Sequence, residues 1–287
     1  MTEKTHRSGV VALLGRPNAG KSTLLNRLLG QKLAIVTRKP QTTRSRILGI
    51  LTQPGAQLLL LDTPGFHDHP KALNRVLNDV VDDVAGDCDV AVLLVDPRRG
   101  WDDGHEALRA RLGARGAGVL VVATQCDRPE ANEFGGVPAD LRISAVTGEG
   151  VDALVRALVE RVPEGPPFYP EDELTDRSLR FLAAELIREA VFEELSQEIP
   201  YETAVEIEEF DESRPELVRI RARLLVEHES QTGMVVGKGG HMIKRIGSRA
   251  RASIEELLET RVFLDLRAKA EPRWSKKPKR LKALGYY

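Results

Sequence analysis

The chain has 287 residues, of which 41% are hydrophobic and 30% charged, with a net charge of -1; this length suggests two domains, and the balance is that of a soluble globular protein. Two cysteines, Cys88 and Cys126, are too few for a disulfide framework and point to a reducing compartment, the cytoplasm. The polar start argues against a signal peptide, and no apolar run approaches the length of a membrane span. The charge is unevenly spread: residues 163–229 carry 7 Lys+Arg against 19 Asp+Glu, whereas 230–287 carry 14 against 5. A basic end on a near-neutral chain reads either as a solvated face or as a surface for an anionic partner.

In chain order, apolar runs at 10–14, 57–61, 90–95, 118–123 and 141–143 read as strands, the second ending at Asp62. Helical patterns fit at 22–29, 71–85, 104–112 and 151–162. This alternation predicts a mostly parallel sheet covered on both faces, an α/β fold whose ligands bind at the carboxyl ends of the strands. Residues 163–170 (PEGPPFYP) hold four prolines in eight positions and mark a boundary. We divide the chain into a nucleotide-binding domain at 1–165, a linker at 166–176 and a second, α+β domain at 177–287. In the second domain Asp176 is expected to cap a helix over 177–195. Extended stretches follow at 204–210 and 217–226. The latter alternates Val218, Ile220, Ala222 and Leu224 with Arg219, Arg221 and Arg223, the pattern of a half-buried strand. A short helix, a glycine-rich turn, a helix at 241–258, a strand at 262–266 and a basic helix at 274–284 complete it.

Gly15, Arg16, Pro17, Asn18, Ala19, Gly20, Lys21 and Ser22 satisfy GxxxxGK[ST] between a strand and a helix, the context that makes this a phosphate loop. Its glycines let backbone N–H groups wrap phosphates at a helix N-terminus. Lys21 should reach the outer phosphates, Ser22 should ligate Mg²⁺, and Thr23 should join the nucleotide contacts. Asp62, Thr63, Pro64 and Gly65 close a strong apolar strand; there the Asp can hold the metal shell and the Gly65 N–H can sense the γ-phosphate. Thr42 and Thr43 lie in a polar run, 38–46, suited to a switch whose threonine hydroxyl joins the metal. Of the two we favour Thr43, giving Lys21, Thr43 and Gly65 as the catalytic set and Ser22, Thr43 and Asp62 as the metal set. The six histidines are scattered and share no metal-ligand spacing with the cysteines.

Further on, Gly237, Lys238, Gly239 and Gly240 form GxxG between two helical patterns. In KH domains such a loop clamps a single-stranded nucleic-acid backbone. Met242, Ile243 and Ile246 would form the apolar side of the following helix. Lys244, Arg245, Arg249 and Arg251 would form its basic side. The order helix, two strands, helix, GxxG, helix, strand suits a type II KH arrangement.

The ordered motifs Gly15 to Ser22, Gln41-Thr42-Thr43-Arg44, Asp62 to Gly65 and Ser144-Ala145 resemble those of translation-factor-related small GTPases. The stretch GRPNAGKSTLLNRLLGQKLAIVTRKPQTTR, with the GxxG region and the closing Leu284-Gly285-Tyr286, resembles the Era family over nearly the whole chain. That resemblance implies GTP hydrolysis to GDP with Mg²⁺. It also implies binding of single-stranded ribosomal RNA near the 3′ end of the small-subunit RNA, help in assembling that subunit, and a monomer with no DNA partner. It further implies a peripheral association with the inner face of the cell membrane in bacteria, for which the sequence shows only basic charge.

Two departures from the family pattern stand out. Where the base-recognition motif is usually Asn-Lys-x-Asp, this chain has Thr124, Gln125, Cys126 and Asp127. Asp127 can still accept two hydrogen bonds from guanine N1 and N2, which discriminates against adenine. The family pattern assigns Ser144 and Ala145 a backbone N–H toward guanine O6. Losing the lysine predicts weakened but guanine-selective binding, with Gln125→Lys tightening it, and keeps open an RNA-binding assembly factor with an inert nucleotide domain. The second departure is Phe66 at the position where Ras-like enzymes carry a water-orienting Gln. A phenyl ring cannot orient water, so a partner, a backbone amide or a bound cation must do so, and intrinsic turnover should be slow.

Overall fold

The computed structural model describes residues 5–37, 39, 42, 46–63, 65, 87–129, 136–196 and 198–285. The expected helix at 71–85, together with Thr43, Pro64 and Phe66, lies outside them. The chain forms two compact units, 1–34 with 43–176, and 35–42 with 177–287.

In the first unit, runs of Leu and Val without alternation can be buried only between two helical layers, and they are. β3 (Ala56–Asp62) and β4 (Val90–Val95) are buried at every residue. With β1 (Arg7–Gly15), β2 (Ile47–Gln53), β5 (Gly118–Ala123) and β6 (Leu141–Arg142) they make a sheet of order β2-β3-β1-β4-β5-β6. All neighbours are parallel except β2, which runs antiparallel to β3 as a hairpin and adds a strand to those expected from the sequence. The helices are α1 (Lys21–Leu29), α2 (Asp103–Ala114) and α3 (Val151–Arg161). The parallel register sets Leu13 beside Asp62, Gly15 beside Leu94 and Val95 beside Ala123. The phosphate loop, Thr63, Asp96 and Thr124 therefore leave the sheet along one edge.

The second unit contains α4 (Leu179–Glu194), β7 (Thr203–Asp211), β8 (Leu217–Val226), α5 (Glu229–Val236), α6 (His241–Leu258), β9 (Arg261–Ala270) and α7 (Pro278–Ala283). The sheet order is β7-β8-β9, antiparallel then parallel, which is the α+β KH arrangement expected. Val218, Ile220, Ala222 and Leu224 of β8 join Ala183, Ile187, Ile246, Ala250 and Ile254 in one core. The opposite face of β8 carries ion pairs, Arg221 to Glu209 at 2.9 Å and Arg223 to Glu208 at 2.6 Å.

In the second unit three expected boundaries move by more than one residue. Ser178, whose hydroxyl accepts from the Phe181 N–H at 3.3 Å, caps α4, so the helix starts two residues later than an Asp176 cap would set it. β9 runs on to Ala270 because its ladder with β8 continues to Val226. The expected helix at 274–284 breaks into a 3₁₀ turn, Trp274–Lys276, and then α7, because Pro278 can only begin a helix. Trp274 is buried with Ala204 and Leu225, and its indole N–H donates to the Glu202 carbonyl at 3.2 Å, anchoring this end.

Candidate functional site

Residues 16–20 turn sharply between β1 and α1, with Asn18 (φ 63°) in a conformation that side-chain-bearing residues rarely adopt. Gly20 is the N-cap of α1 and no side chain caps it, so the loop leads directly into a helix N-terminus, whose dipole favours an anion. Gly65 shows how tightly the strand end after β3 abuts this loop: a Cβ there would lie 2.6 Å from the Pro17 nitrogen. The Thr63 hydroxyl holds the approach by donating to the Leu13 carbonyl at 2.9 Å.

Lys21 is buried and its ammonium donates to the carbonyls of Gly15 and Arg16, each at 3.1 Å, so it folds back over the loop. Burial pushes its pKa down to about 8, against the opposing pull of the nearby Asp62 carboxylate. Ser22 donates to Asp62 at 2.6 Å, bringing a hydroxyl and a buried carboxylate together at the head of the cradle. Two hard oxygen ligands beside a phosphate-binding helix terminus fit Mg²⁺, which prefers oxygen and shares its shell with phosphate. Among the described residues no cluster of three His, Cys, Asp or Glu offers a different metal site. The Arg16 side chain turns away from the loop and donates twice to Asp102 at 3.0 and 2.8 Å. Asp102 caps α2 through the His105 N–H. Burial raises the Asp102 pKa, but the Arg16 and His105 donors outweigh it and hold the carboxyl at about 2.

At the far end of the same edge, Thr124 keeps the loop-bracing role open to an Asn: its buried hydroxyl donates to the Ala19 carbonyl at 2.8 Å and lies 3.2 Å from the Val95 carbonyl. Gln125 donates through Nε2 to the Asn18 carbonyl at 3.1 Å. The exposed Asp127 is oriented by the Ser144 hydroxyl, which donates to its Oδ1 at 2.7 Å. The Ser144 N–H donates to the Glu149 carbonyl at 2.9 Å. Cys126 is half-buried, and burial raises its thiol pKa, so it packs rather than reacts. Sequence reasoning missed Asp96 and Arg98, which adjoin Gln125; nothing in Asp96-Pro97-Arg98-Arg99 marks them before the fold brings residues 98, 125 and 18 together.

In the second unit the glycine loop is open. Gly237 (φ 74°), Gly239 (φ 61°) and Gly240 (φ 77°) all take left-handed backbone, and a Cβ on Gly237 would sit 2.7 Å from the Met242 Cβ. Lys238, Gly239 and Lys244 are exposed. Arg245 and Arg249 are half-exposed but paired with α4: Arg245 with Glu194, and Arg249 with Glu193 at 2.8 Å and Glu194 at 2.9 Å. The basic face expected of α6 is thus partly neutralised by acidic residues brought to it by the fold.

A mostly parallel sheet with this phosphate loop, followed by this KH arrangement, defines a P-loop GTPase carrying a KH domain. The family described as 50S ribosome-binding GTPase matches residues 10–125, and the KH domain family matches residues 198–275. The chain is 43% identical to the GTPase Era of Geotalea uraniireducens over the full length of both proteins. It is also 43% identical to that of Azotobacter vinelandii, across 100% of this chain and 99% of the relative. An Aquifex aeolicus Era variant bound to GDP and AlF4⁻ superposes with a TM-score of 0.89 at 33% identity, covering 98% of this chain and 99% of that one. An Era in complex with MgGDPNP and nucleotides 1506–1542 of 16S ribosomal RNA gives 0.88 at the same identity and coverage. The chain belongs to the Era family of GTPases. It is a GTP hydrolase, so of the two expectations set by Thr124 and Gln125 the active enzyme stands, not the inert domain.

Proposed function

We propose that this GTPase binds single-stranded ribosomal RNA near the 3′ end of the small-subunit RNA, and that it assists assembly of the small ribosomal subunit in a nucleotide-dependent way. The observation that carries this reading is the open, left-handed GxxG loop between α5 and α6, which lets a phosphodiester approach the backbone with Lys238 beside it. The complex of a 33%-identical Era with 16S ribosomal RNA supports it. In the first unit Gly15 to Thr23, Asp62 to Gly65, Thr124, Gln125, Asp127, Ser144 and Ala145 hold GTP or GDP. Ser22 and Asp62, with Thr43, hold the Mg²⁺ that neutralises charge on the phosphates.

The path of the chain supports coupling between the two activities. The segment 35–42, which leads directly to Thr43, groups with the second unit, and its residues Val36, Lys39 and Thr42 are tied to α4 and its C-terminal end. There the Val36 N–H donates to Glu189 at 3.0 Å, the buried Arg188 donates to the Thr42 carbonyl at 2.6 Å, and the Lys39 ammonium caps the carbonyls of Phe192 and Leu195 at the helix end. A γ-phosphate that draws Thr43 to the metal pulls on a segment tied to the KH fold. The basic residues Lys276, Lys277, Lys279 and Lys282 would supply any contact with anionic lipid at the inner membrane face; no helix among the described residues is long and apolar enough to cross a membrane.

The test is titration of a fluorescent RNA with the sequence of the small-subunit 3′ end, with a non-hydrolysable GTP analogue and then with GDP. Tighter binding with the analogue, lost in Thr43→Ala, is expected. Equal affinity in both nucleotide states would remove the switch, and no RNA binding at all would remove the function.

A further inference from the structure

The base-recognition motif of this chain lacks its lysine, yet the space around Gln125 is neither apolar nor without charge. Asp96 leaves the end of β4 with its side chain almost wholly buried. Arg98, two residues on, wraps back over it, donating from Nε to Oδ1 at 2.9 Å and from a terminal nitrogen to Oδ2 at 2.6 Å, a two-pronged pair. The same terminal nitrogen donates to the Gln125 side-chain oxygen at 2.9 Å. The Gln125 Nε2 then faces the Asn18 carbonyl at 3.1 Å and Asp96 Oδ2 at 3.4 Å. A guanidinium can only donate and a carbonyl can only accept, so this is the one orientation of the amide that satisfies both neighbours.

The backbone repeats the message. Of the four residues other than glycine with positive φ among those described, two are Asn18 (63°) and Gln125 (55°), the pair joined by this hydrogen bond. Such strained backbone persists only where its surroundings over-determine it. Burial pushes the Asp96 carboxyl up, and the hydrogen bonds from Arg98 more than offset that, so it sits below the ordinary carboxylate range and keeps its charge beside the guanidinium.

We propose that Arg98 is a specificity-positioning residue of the guanine site: anchored on Asp96, it supplies the cation that position 125 has lost and fixes Gln125 as the tie between the base-recognition turn and the phosphate loop. The assignment rests on the reading of Asp127, Gln125 and the phosphate loop as the guanine-nucleotide site. It reverses the expectation drawn from sequence that Gln125→Lys alone would tighten binding. A lysine there would set an ammonium against the Arg98 guanidinium and take from it the oxygen it holds. Restoring the family's lysine should help only when Arg98 is gone, for then Asp96 is its counter-ion and the Asn18 carbonyl its acceptor.

The experiment is a titration of the full chain with fluorescent GDP, GTP and ADP analogues in Mg²⁺, across wild type, Arg98→Ala, Arg98→Lys, Gln125→Lys and the double variant Arg98→Ala with Gln125→Lys. The melting temperature of each nucleotide-free protein is measured alongside. Losing a hydrogen bond to a charged group should weaken guanine-nucleotide affinity about tenfold in Arg98→Ala. Arg98→Lys, which keeps the charge but not the fork, should fall between. Gln125→Lys alone should not tighten binding, and the double variant should return to within about threefold of wild type, a coupling that independent sites would not show. Unchanged affinity in Arg98→Ala, or effects that simply add in the double variant, would overturn the assignment. So would a loss of affinity that follows the nucleotide-free melting temperature and is not rescued. Wild-type protein with no preference for guanine over adenine nucleotides would instead remove the reading of the pocket on which the assignment stands.

Discussion

The two glycine loops of this chain use the same backbone freedom in opposite settings. The phosphate loop is enclosed: Gly65 presses on Pro17, Thr124 and Gln125 tie back the carbonyls of Ala19 and Asn18, and Lys21 lies buried across Gly15 and Arg16. The GxxG loop is open: a Cβ on Gly239 or Gly240 would meet nothing within 4 Å, and Lys238 stands in solvent. An enclosed, pre-oriented cradle suits a compact anion that must be told apart from close analogues, because buried polar groups left unmatched penalise the wrong ligand. An open loop suits a long polyanion whose backbone passes over it, where charge and contact matter more than enclosure.

The comparison breaks first at Lys21. Lys21→Ala removes the buried ammonium of the cradle and should weaken GTP and GDP by a factor on the order of a hundred or more, since pairing a buried cation with phosphate carries several kcal/mol. RNA affinity without nucleotide should stay within about twofold. An equal loss of both, measured on the same preparation, would mean that the loops are not separate sites. The mirror variant is Gly237→Val. Its Cβ would meet Met242 at 2.7 Å and its φ of 74° is hostile to a branched side chain. RNA affinity should fall about thirtyfold by filter binding, in keeping with a lost loop geometry worth about 2 kcal/mol, while GDP binding is untouched.

Enclosure also makes the first site sensitive to pH. In the nucleotide-free protein the Lys21 pKa lies at about 8, lowered by burial. Bound phosphates favour the charged form, so the pKa rises on binding. Below pH 8 the lysine is already protonated and binding moves no proton. Above pH 8 binding must take one up, so affinity should fall by up to about tenfold per pH unit until the bound-state pKa is reached. Calorimetry at pH 9 in buffers of different ionisation enthalpy should report close to one proton taken up. Finding none, or finding the same uptake in Lys21→Met, would remove Lys21 from the phosphate contacts.

The same contrast separates what the sequence showed from what it hid. β4 and β5 could be bounded to the residue because unbroken apolar runs end in sharp polar turns. α6 runs from His241 to Leu258 as expected, opening straight after the GxxG glycines, and the alternation of β8 needed no tertiary information. β2 was hidden because Gly49 interrupts its pattern; the place of the missing side chain is filled by Leu25 and Leu29 of α1, which only the fold can supply. Among site residues, those set by local loop chemistry were readable from Gly15 to Ser22. Asp96 and Arg98 were not, because their meaning lies in partners 27 residues or more away in sequence, Arg98 reaching Gln125 and Asp96 meeting its amide. The neutralising of Arg245 and Arg249 by Glu193 and Glu194 was hidden for the same reason.

The smallest expected effect lies at the edge of the enclosed site, where enclosure fades into solvent. Asp127 is exposed, and the Ser144 hydroxyl at 2.7 Å is what holds it in one orientation. Ser144 also accepts from the Thr147 N–H at 3.1 Å, so the hydroxyl orders both the carboxylate and the turn behind it. Ser144→Ala removes one hydrogen bond to a half-solvated charge, worth about 1 kcal/mol, and should reduce GDP affinity about fivefold. Affinity for xanthine or adenine nucleotides, which do not match the two acceptors of Asp127, should barely move, so the preference for guanine narrows by the same factor. If every nucleotide weakened alike, the serine would be supporting the phosphate cradle and not the base, and the division of this edge into a phosphate end and a base end would be wrong. If only guanine nucleotides weaken, selectivity in this chain is set by a carboxylate held from the side, even where the usual Asn and Lys of its motif are replaced.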